Sequence, residues 1–357
     1  MNKNKIKDFI SSIDPLDKTA MNKVVKYMDN LTKPIGSLGY MEIMTAKIAG
    51  IKGYLPKELK KKNIIIMCSD NGVVEEGISS CPQNTTALVT ENFTKDITGV
   101  KVLANYYGAE LTVVDVGVNH DFNNNKILNR KISYGTNNMV KESAMSLEQA
   151  LKAIESGIEI VEELHKKGVD IIGTGEMGVG NTTTSAAVFC ALTDMEIDKI
   201  VGKGAGVTEA QYKVKKSVVK KAIEINKPIK EDVVDVLSKV GGYDIAALCG
   251  CYLAAARYRI PIVIDGFISS VAAFCAYKLN PLCREYMFPS HLSAEPGACY
   301  IMEQLGLKPI LNLNMRLGEG SACPMAFNII EASLYTINNM GTFENARLDK
   351  DNYIDIR

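Results

Sequence analysis

Between residues 169 and 184 the chain reads Val-Asp-Ile-Ile-Gly-Thr-Gly-Glu-Met-Gly-Val-Gly-Asn-Thr-Thr-Thr. The apolar run from Val169 to Ile172 predicts a buried strand, the glycines predict a loop, and Asn181-Thr182-Thr183-Thr184-Ser185 predicts a helix start. A glycine loop at a helix N-terminus presents free N–H groups and the positive end of a dipole, a setting suited to a phosphate or carboxylate. Gly173-x-Gly175-x-x-Gly178 fits the dinucleotide fingerprint. The stretch that should hold its second strand and acid, Thr193 to Gly206, is instead polar and glycine-rich. Gly175-x-x-x-x-Gly180-Asn181-Thr182 fits a P-loop, except that Asn181 stands where a lysine would reach the β- and γ-phosphates. What survives is a cradle for one phosphate, with Glu176 and Asn181 as polar groups inside it. The plainer alternative is a tight turn whose glycines serve only positive φ.

Other candidates lie further along. Glu319 sits between Gly318 and Gly320 in Arg-Leu-Gly-Glu-Gly-Ser (316–321), so a flat ligand can approach its carboxylate. The competing reading is a helix-start carboxylate with Ser321 as the cap. His291, after Ser290, suits either ligand orientation or a satisfied core position. Lys203 and Lys215 flank the glycine loop 201–206, where either could balance a phosphate or simply be solvated.

These groups need a scaffold. With 357 residues, 46% of them hydrophobic, the chain suffices for a large α/β domain with an appendage. No apolar stretch approaches a membrane span. Asp8 and Asp14 interrupt the start, so a secretory segment is not expected. Basic and acidic residues balance at 41 each, which gives no reason to expect a nucleic-acid partner. Nine cysteines without a Cys-x-x-Cys pair read as reduced, buried thiols of a cytoplasmic protein. Three histidines, none paired at helical spacing, argue against a zinc or iron site.

Apolar runs at 63–69, 111–117, 169–173, 260–265 and 309–315 alternate with helical stretches at 147–167 and 208–225. That pattern predicts a doubly wound, mostly parallel sheet of Rossmann type, covered by helices on both faces. Five strand-end loops carry glycine beside an acid: Asp70, Asp115, Glu176, Asp265 and Glu319. Ligands bind beyond the carboxyl ends of such strands, so these loops should share one crevice. None carries the paired acids that hold a pyrophosphate through magnesium, so a metal-free ligand with ribose and one phosphate fits best. Residues 1–60 read as helical, broken at Lys33-Pro34-Ile35-Gly36-Ser37-Leu38-Gly39, and a last helix runs from about Pro324 to Asn339. We expect residues 1–60 and 328–357 to fold together as a small helical domain, with 61–327 as the large α/β domain.

Five segments carry a family resemblance: Lys-Pro-Ile-Gly-Ser-Leu-Gly (33–39), Asp-Asn-Gly-Val-Val-Glu-Glu-Gly-Ile-Ser (70–79), Gly-Glu-Met-Gly-Val-Gly-Asn-Thr-Thr (175–183), Ser-His-Leu-Ser-Ala-Glu-Pro-Gly (290–297) and the 316–321 segment. In this order they closely resemble the nicotinate-nucleotide:dimethylbenzimidazole phosphoribosyltransferase family over nearly the whole chain. The resemblance implies transfer of phosphoribose from nicotinate mononucleotide to 5,6-dimethylbenzimidazole or a related base. The products are nicotinate and α-ribazole 5′-phosphate, the latter for the lower ligand of cobamides. It also implies a cytoplasmic homodimer that needs no cofactor or metal.

Carried over, Glu319 matches the catalytic base, and Glu176, Gly178, Gly180 and Asn181 match the nucleotide loop. Gly204, Gly206 and Lys215 fall on the phosphate side, and Asn71, Ser79, Ser80 and Leu317 on the acceptor side. Asp265, Ser290 and His291 belong to the rest of the crevice. Asn71 stands where many members have histidine, and Ala322 where glycine is frequent, so acceptor preference is open. A pyridinium leaving group becomes neutral as it departs, so one general base for the acceptor N–H suffices, with inversion from β to α. A helix start would lower the pKa of that base and burial would raise it. Two alternatives remain at this point: a nicotinamide-dependent oxidoreductase built on 173–178, and a non-catalytic nucleotide sensor.

Overall fold

A computed structural model describes residues 3–357. Six parallel strands, β1 (Lys62–Ser69), β2 (Glu110–Gly117), β3 (Ile127–Asn129), β4 (Ile171–Met177), β5 (Ile262–Ile264) and β6 (Met287–Pro289), lie in the order β3-β2-β1-β4-β5-β6. The order reverses between β1 and β4, the switch point where a doubly wound sheet opens a crevice. Ile64 to Met67 of β1 are wholly buried, because helices cover both faces. Helices Leu147–Lys166 and Tyr243–Arg257 pack together on one side. Their closeness depends on glycine: a Cβ on Gly157 would lie 1.8 Å from the Ala247 carbonyl oxygen. A capping box between Ser146 and Gln149 starts the first of these helices. Helix Cys323–Asn339 contacts β4 and β5.

The terminal segments meet. Val24, Met28, Leu31, Ala46, Ala49 and Ile337 form a small apolar cluster, and Leu31 bridges to Thr342. Lys33 and Glu42 form a buried ion pair at 2.7 Å that fixes the Pro34–Gly39 break. Among the described residues, no helix is long and apolar enough to cross a membrane.

The structure corrects three local expectations. β4 does not stop at Gly173 but runs to Met177, so Gly173 and Gly175 are strand residues rather than loop residues. Both are bare because another segment lies on them. A Cβ on Gly173 would meet Cys323 at 2.7 Å, and one on Gly175 would meet the Glu319 carbonyl oxygen at 2.4 Å. Residues 309–315 form no strand. Leu311 makes one isolated bridge to His291, and Asn314 turns left-handed (φ 54), which ends the extended run. Finally, β3 and β6, three residues each, are strands outside the expected apolar runs.

Candidate active site

A cleft of about 270 Å³ opens beyond β4 and β5. Helix Asn181–Thr193, whose N-cap is Gly180 (φ 91), starts at the cleft without a side-chain cap. Asn181 N and Thr183 N bond the Gly178 and Gly180 carbonyls, so what the helix start offers an anion is the positive end of its dipole and the Thr182 side chain. Thr182 Oγ1 accepts from Lys215 Nζ at 2.8 Å. Lys215, on helix Glu209–Asn226, is 1% exposed, and burial lowers its pKa to about 8 against the opposing pull of Glu295. An anion bound here would restore the full charge. Glu295 shapes the 202–206 loop: its Oε1 accepts from Gly204 N at 3.0 Å, and Gly202 is bare because the same carboxylate fills that space. Gly204 and Gly206 line the cleft. Lys203 is drawn to the rim by an ion pair with Glu209.

Two carboxylates, Glu176 and Glu319, line the same cleft. Glu319 is half-buried and lies in the left-handed region (φ 65), between Gly318 (φ 77) and Gly320 (φ 85). A non-glycine residue held there marks a backbone fixed from outside. Asp265 does the fixing: its Oδ2 accepts from Gly320 N at 3.1 Å and its Oδ1 from Ala322 N at 2.9 Å. Glu176 Oε1 accepts from Glu319 N at 3.3 Å. One buried oxygen of Glu319 has no partner. Burial, and secondarily the charge of Glu176, raise the Glu319 pKa to about 7. The helix-start alternative fails, because the following helix begins at Cys323 with Ala322 as its N-cap. Ser321 caps nothing, and its buried hydroxyl has no partner. With no helix start at Glu319, burial decides the pKa.

Glu176 is at the end of β4, 6% exposed, and accepts from Asn181 Nδ2. The same amide nitrogen donates to Asp244 Oδ2 at 3.2 Å. Ser79, Ser80 and Leu317 also line the cleft, as does His291, with its Nδ1 3.1 Å from Ser290 Oγ.

Several expected crevice residues lie elsewhere. Asn71 is wholly buried behind Gly178 rather than in an acceptor wall. Gly178 does line the cleft, but its Cα faces inward: a Cβ there would lie 2.3 Å from the Ser69 carbonyl oxygen. Asp265 and Ser290 stand behind the wall, where Ser290 Oγ donates to the Asp265 carbonyl at 3.2 Å. The shared five-loop crevice contracts to the ends of β4 and β5 plus the 316–321 loop, since Asp70 and Asp115 bind their own neighbourhood. Sequence reasoning missed Asp244, Thr182 and Glu295 as parts of the assembly. Thr182 and Glu295 had a signal, their places in the 175–183 and 290–297 segments, and Asp244 had none.

A family model described as phosphoribosyltransferase matches residues 13–348. The chain belongs to that family. It is 52% identical to a nicotinate-nucleotide–dimethylbenzimidazole phosphoribosyltransferase of Clostridium tetani, over 99% of this chain and 98% of that one. A protein of the same name from Ruminiclostridium cellulolyticum is 54% identical over 96% and 97% of the two chains. The crystal structure of a nicotinate-nucleotide–dimethylbenzimidazole phosphoribosyltransferase from Thermus thermophilus superposes with a TM-score of 0.88. It is 32% identical and covers 94% of this chain and 99% of its own. The oxidoreductase alternative loses its basis as well. Two glycines of its fingerprint lie inside β4 under Cys323 and Glu319, where no pyrophosphate can approach.

Proposed function

We propose that this phosphoribosyltransferase moves the 5-phosphoribosyl group of nicotinate mononucleotide onto 5,6-dimethylbenzimidazole or a related base. The observation that carries the reading is the pairing of two groups in one cleft. A helix start whose Thr182 hydroxyl accepts from a buried lysine lines the same cleft as a carboxylate with an unpartnered oxygen and a pKa raised to about 7. The phosphate would sit against Thr182, Gly204 and Lys215. As one nitrogen of the acceptor attacks the anomeric carbon, Glu319 takes the proton from the other, and the bond to nicotinate breaks with its electron pair moving onto the ring nitrogen. Charge balances without a general acid. Glu176 and Glu319 also favour the positive charge that develops on the ribosyl centre. Ser79, Ser80 and Leu317 form the acceptor side of this reading.

The same resemblance supports a cytoplasmic homodimer, and a two-part chain in which 1–60 with 328–357 forms the helical unit. Light scattering on the purified protein checks the dimer. For the reaction, the protein is mixed with nicotinate mononucleotide and a panel of benzimidazoles, purines and phenols. Base-dependent release of nicotinate with formation of an α-ribotide is expected. Absence of release with every acceptor overturns the reading.

A further inference from the structure

An acid stands among the groups suited to an anion. Glu295 lines the cleft, is 7% exposed and precedes helix Gly297–Leu305. The chain around it is anchored: Ala298 N donates to the Glu295 carbonyl at 3.0 Å, and Ala294 N to the Met315 carbonyl at 2.9 Å. The side chain reaches the 202–206 loop, where Oε1 accepts from Gly204 N at 3.0 Å. Oε2 is buried without a donor, and Gly202 packs so closely on it that a Cβ there would lie 1.9 Å away. Gly204 also touches the Thr182–Lys215 pair. A Cβ on it would lie 2.9 Å from Thr182 Oγ1 and 3.3 Å from Lys215 Nζ.

The loop's own hydrogen bonds leave two donors over. Gly206 N donates to the Lys203 carbonyl at 3.1 Å, closing a tight turn, and Gly204 N is taken by Glu295. Among the described residues Ala205 N and Val207 N have no acceptor, and both residues line the cleft. Gly204 (φ 56) and Gly206 (φ 111) are left-handed. Glycine adopts either sign of φ readily, so such a turn needs an outside contact to select its conformation. Among the described residues Glu295 makes the one side-chain hydrogen bond to its backbone. A carboxylate so close to an anion site costs little here, because it and Lys215 each favour the ionised form of the other against burial.

We propose that Glu295 is the positioning residue of the phosphate cradle. It holds the 203–206 turn through Gly204 N, so that the unpaired Ala205 and Val207 N–H groups and the Lys215 ammonium meet the phosphate together. Service as a second base is closed to it, since Oε1 is engaged and Oε2 is covered by Gly202. The inference rests on the phosphate placement proposed above.

The test compares nicotinate mononucleotide with nicotinate riboside, which lacks only the phosphate, by calorimetry without an acceptor base. Glu295→Ala should weaken the mononucleotide about tenfold and leave the riboside within about twofold. Glu295→Gln keeps an oxygen for Gly204 N and should bind the mononucleotide within about threefold of wild type. Gly202→Ala probes the same contact with Glu295 intact. Its backbone is not left-handed, and the added methyl displaces the carboxylate from the turn, again costing about tenfold. In turnover Glu295→Ala should raise KM with kcat within about threefold. Equal weakening of both ligands, full mononucleotide affinity in folded Glu295→Ala or Gly202→Ala, or Glu295→Gln as weak as Glu295→Ala overturns the positioning role. Lys215→Met identifies which reading has failed. If it too leaves the mononucleotide unaffected, the phosphate lies elsewhere and both fall; if it weakens binding while Glu295→Ala does not, only the positioning role falls.

Discussion

Asp115 at the end of β2 and Asp265 after β5 are equally buried, each 2% exposed, and each is followed within two residues by a glycine. Their settings differ. Asp115 accepts from the N–H groups of Gly117 and Val118 and lies 3.3 Å from Lys131. Asp70, on the same side of the sheet, accepts from Asn119 N at 2.8 Å. Across the switch point, Asp265 and Glu176 accept from backbone or amide donors, a Glu319 oxygen has no partner, and among the described residues no cation pairs with the three. Burial is common to both regions, so burial does not mark function. Asp70 also has no cation, so an unpaired acid alone does not mark function either. The distinguishing feature is that Glu176 and Glu319, both without a cation, line one cleft, a setting complementary to a ligand that brings or develops positive charge.

The largest test of that contrast is Glu319→Gln, which keeps shape and reach but cannot take a proton. We expect kcat to fall about 10²–10⁴-fold, with the dissociation constant for nicotinate mononucleotide nearly constant by calorimetry. Retained turnover with chemistry rate-limiting would move the base elsewhere, Glu176 first.

At the anion end, Lys215→Met should raise KM for the nucleotide about 10–100-fold, the loss expected for one hydrogen bond to a charged group. Steady-state kinetics with nicotinate mononucleotide varied would show it, and an unchanged KM would place the phosphate elsewhere.

The pH dependence is a milder test. Glu319 must be ionised to act, so kcat should rise through about pH 7 and fall about tenfold per unit below it. Stability should run the other way. Glu319 and Asp244 have folded pKa values above the ordinary carboxylate range, so the folded state binds more protons there, and its stability declines as pH rises through about 7. Thermal midpoints followed across that range should decline, and Glu319→Gln should flatten the decline. A flat wild-type profile would contradict the raised values.

The smallest catalytic effect belongs to the other side of the sheet. Asp115→Asn should leave kcat/KM of the folded enzyme within about twofold while costing about 1–3 kcal/mol of stability from weakened loop bonds. A large kinetic defect would erase the distinction between the two regions.

Much of this was legible in order along the chain. The apolar runs of β1 and β2, the helices 147–166 and 209–226 with their Ser146 and Thr208 caps, and the terminal helix 323–339 follow from periodicity and capping chemistry. Glu319, Glu176, Asn181 and Lys215 were named from glycine context and motif order, and the fold gathers all four around one cleft. Gly173 and Gly175 were misassigned, because strand glycines that admit another backbone read the same as loop glycines. Asn71 is carried over to the acceptor side by the resemblance, but a strand-end residue has two possible sides, and here it is buried behind Gly178.

Residue order by itself determined the parallel α/β class, the helix start at Asn181 and the chemical identity of the groups available, because these depend on local propensity and periodicity. Tertiary structure alone decided which acids meet a cation and which do not. It placed Lys131 against Asp115, Lys215 against Thr182, and nothing positive against Asp244 or Glu319. Those pairings join residues far apart in the chain, and a carboxylate's pKa depends on what surrounds it in space.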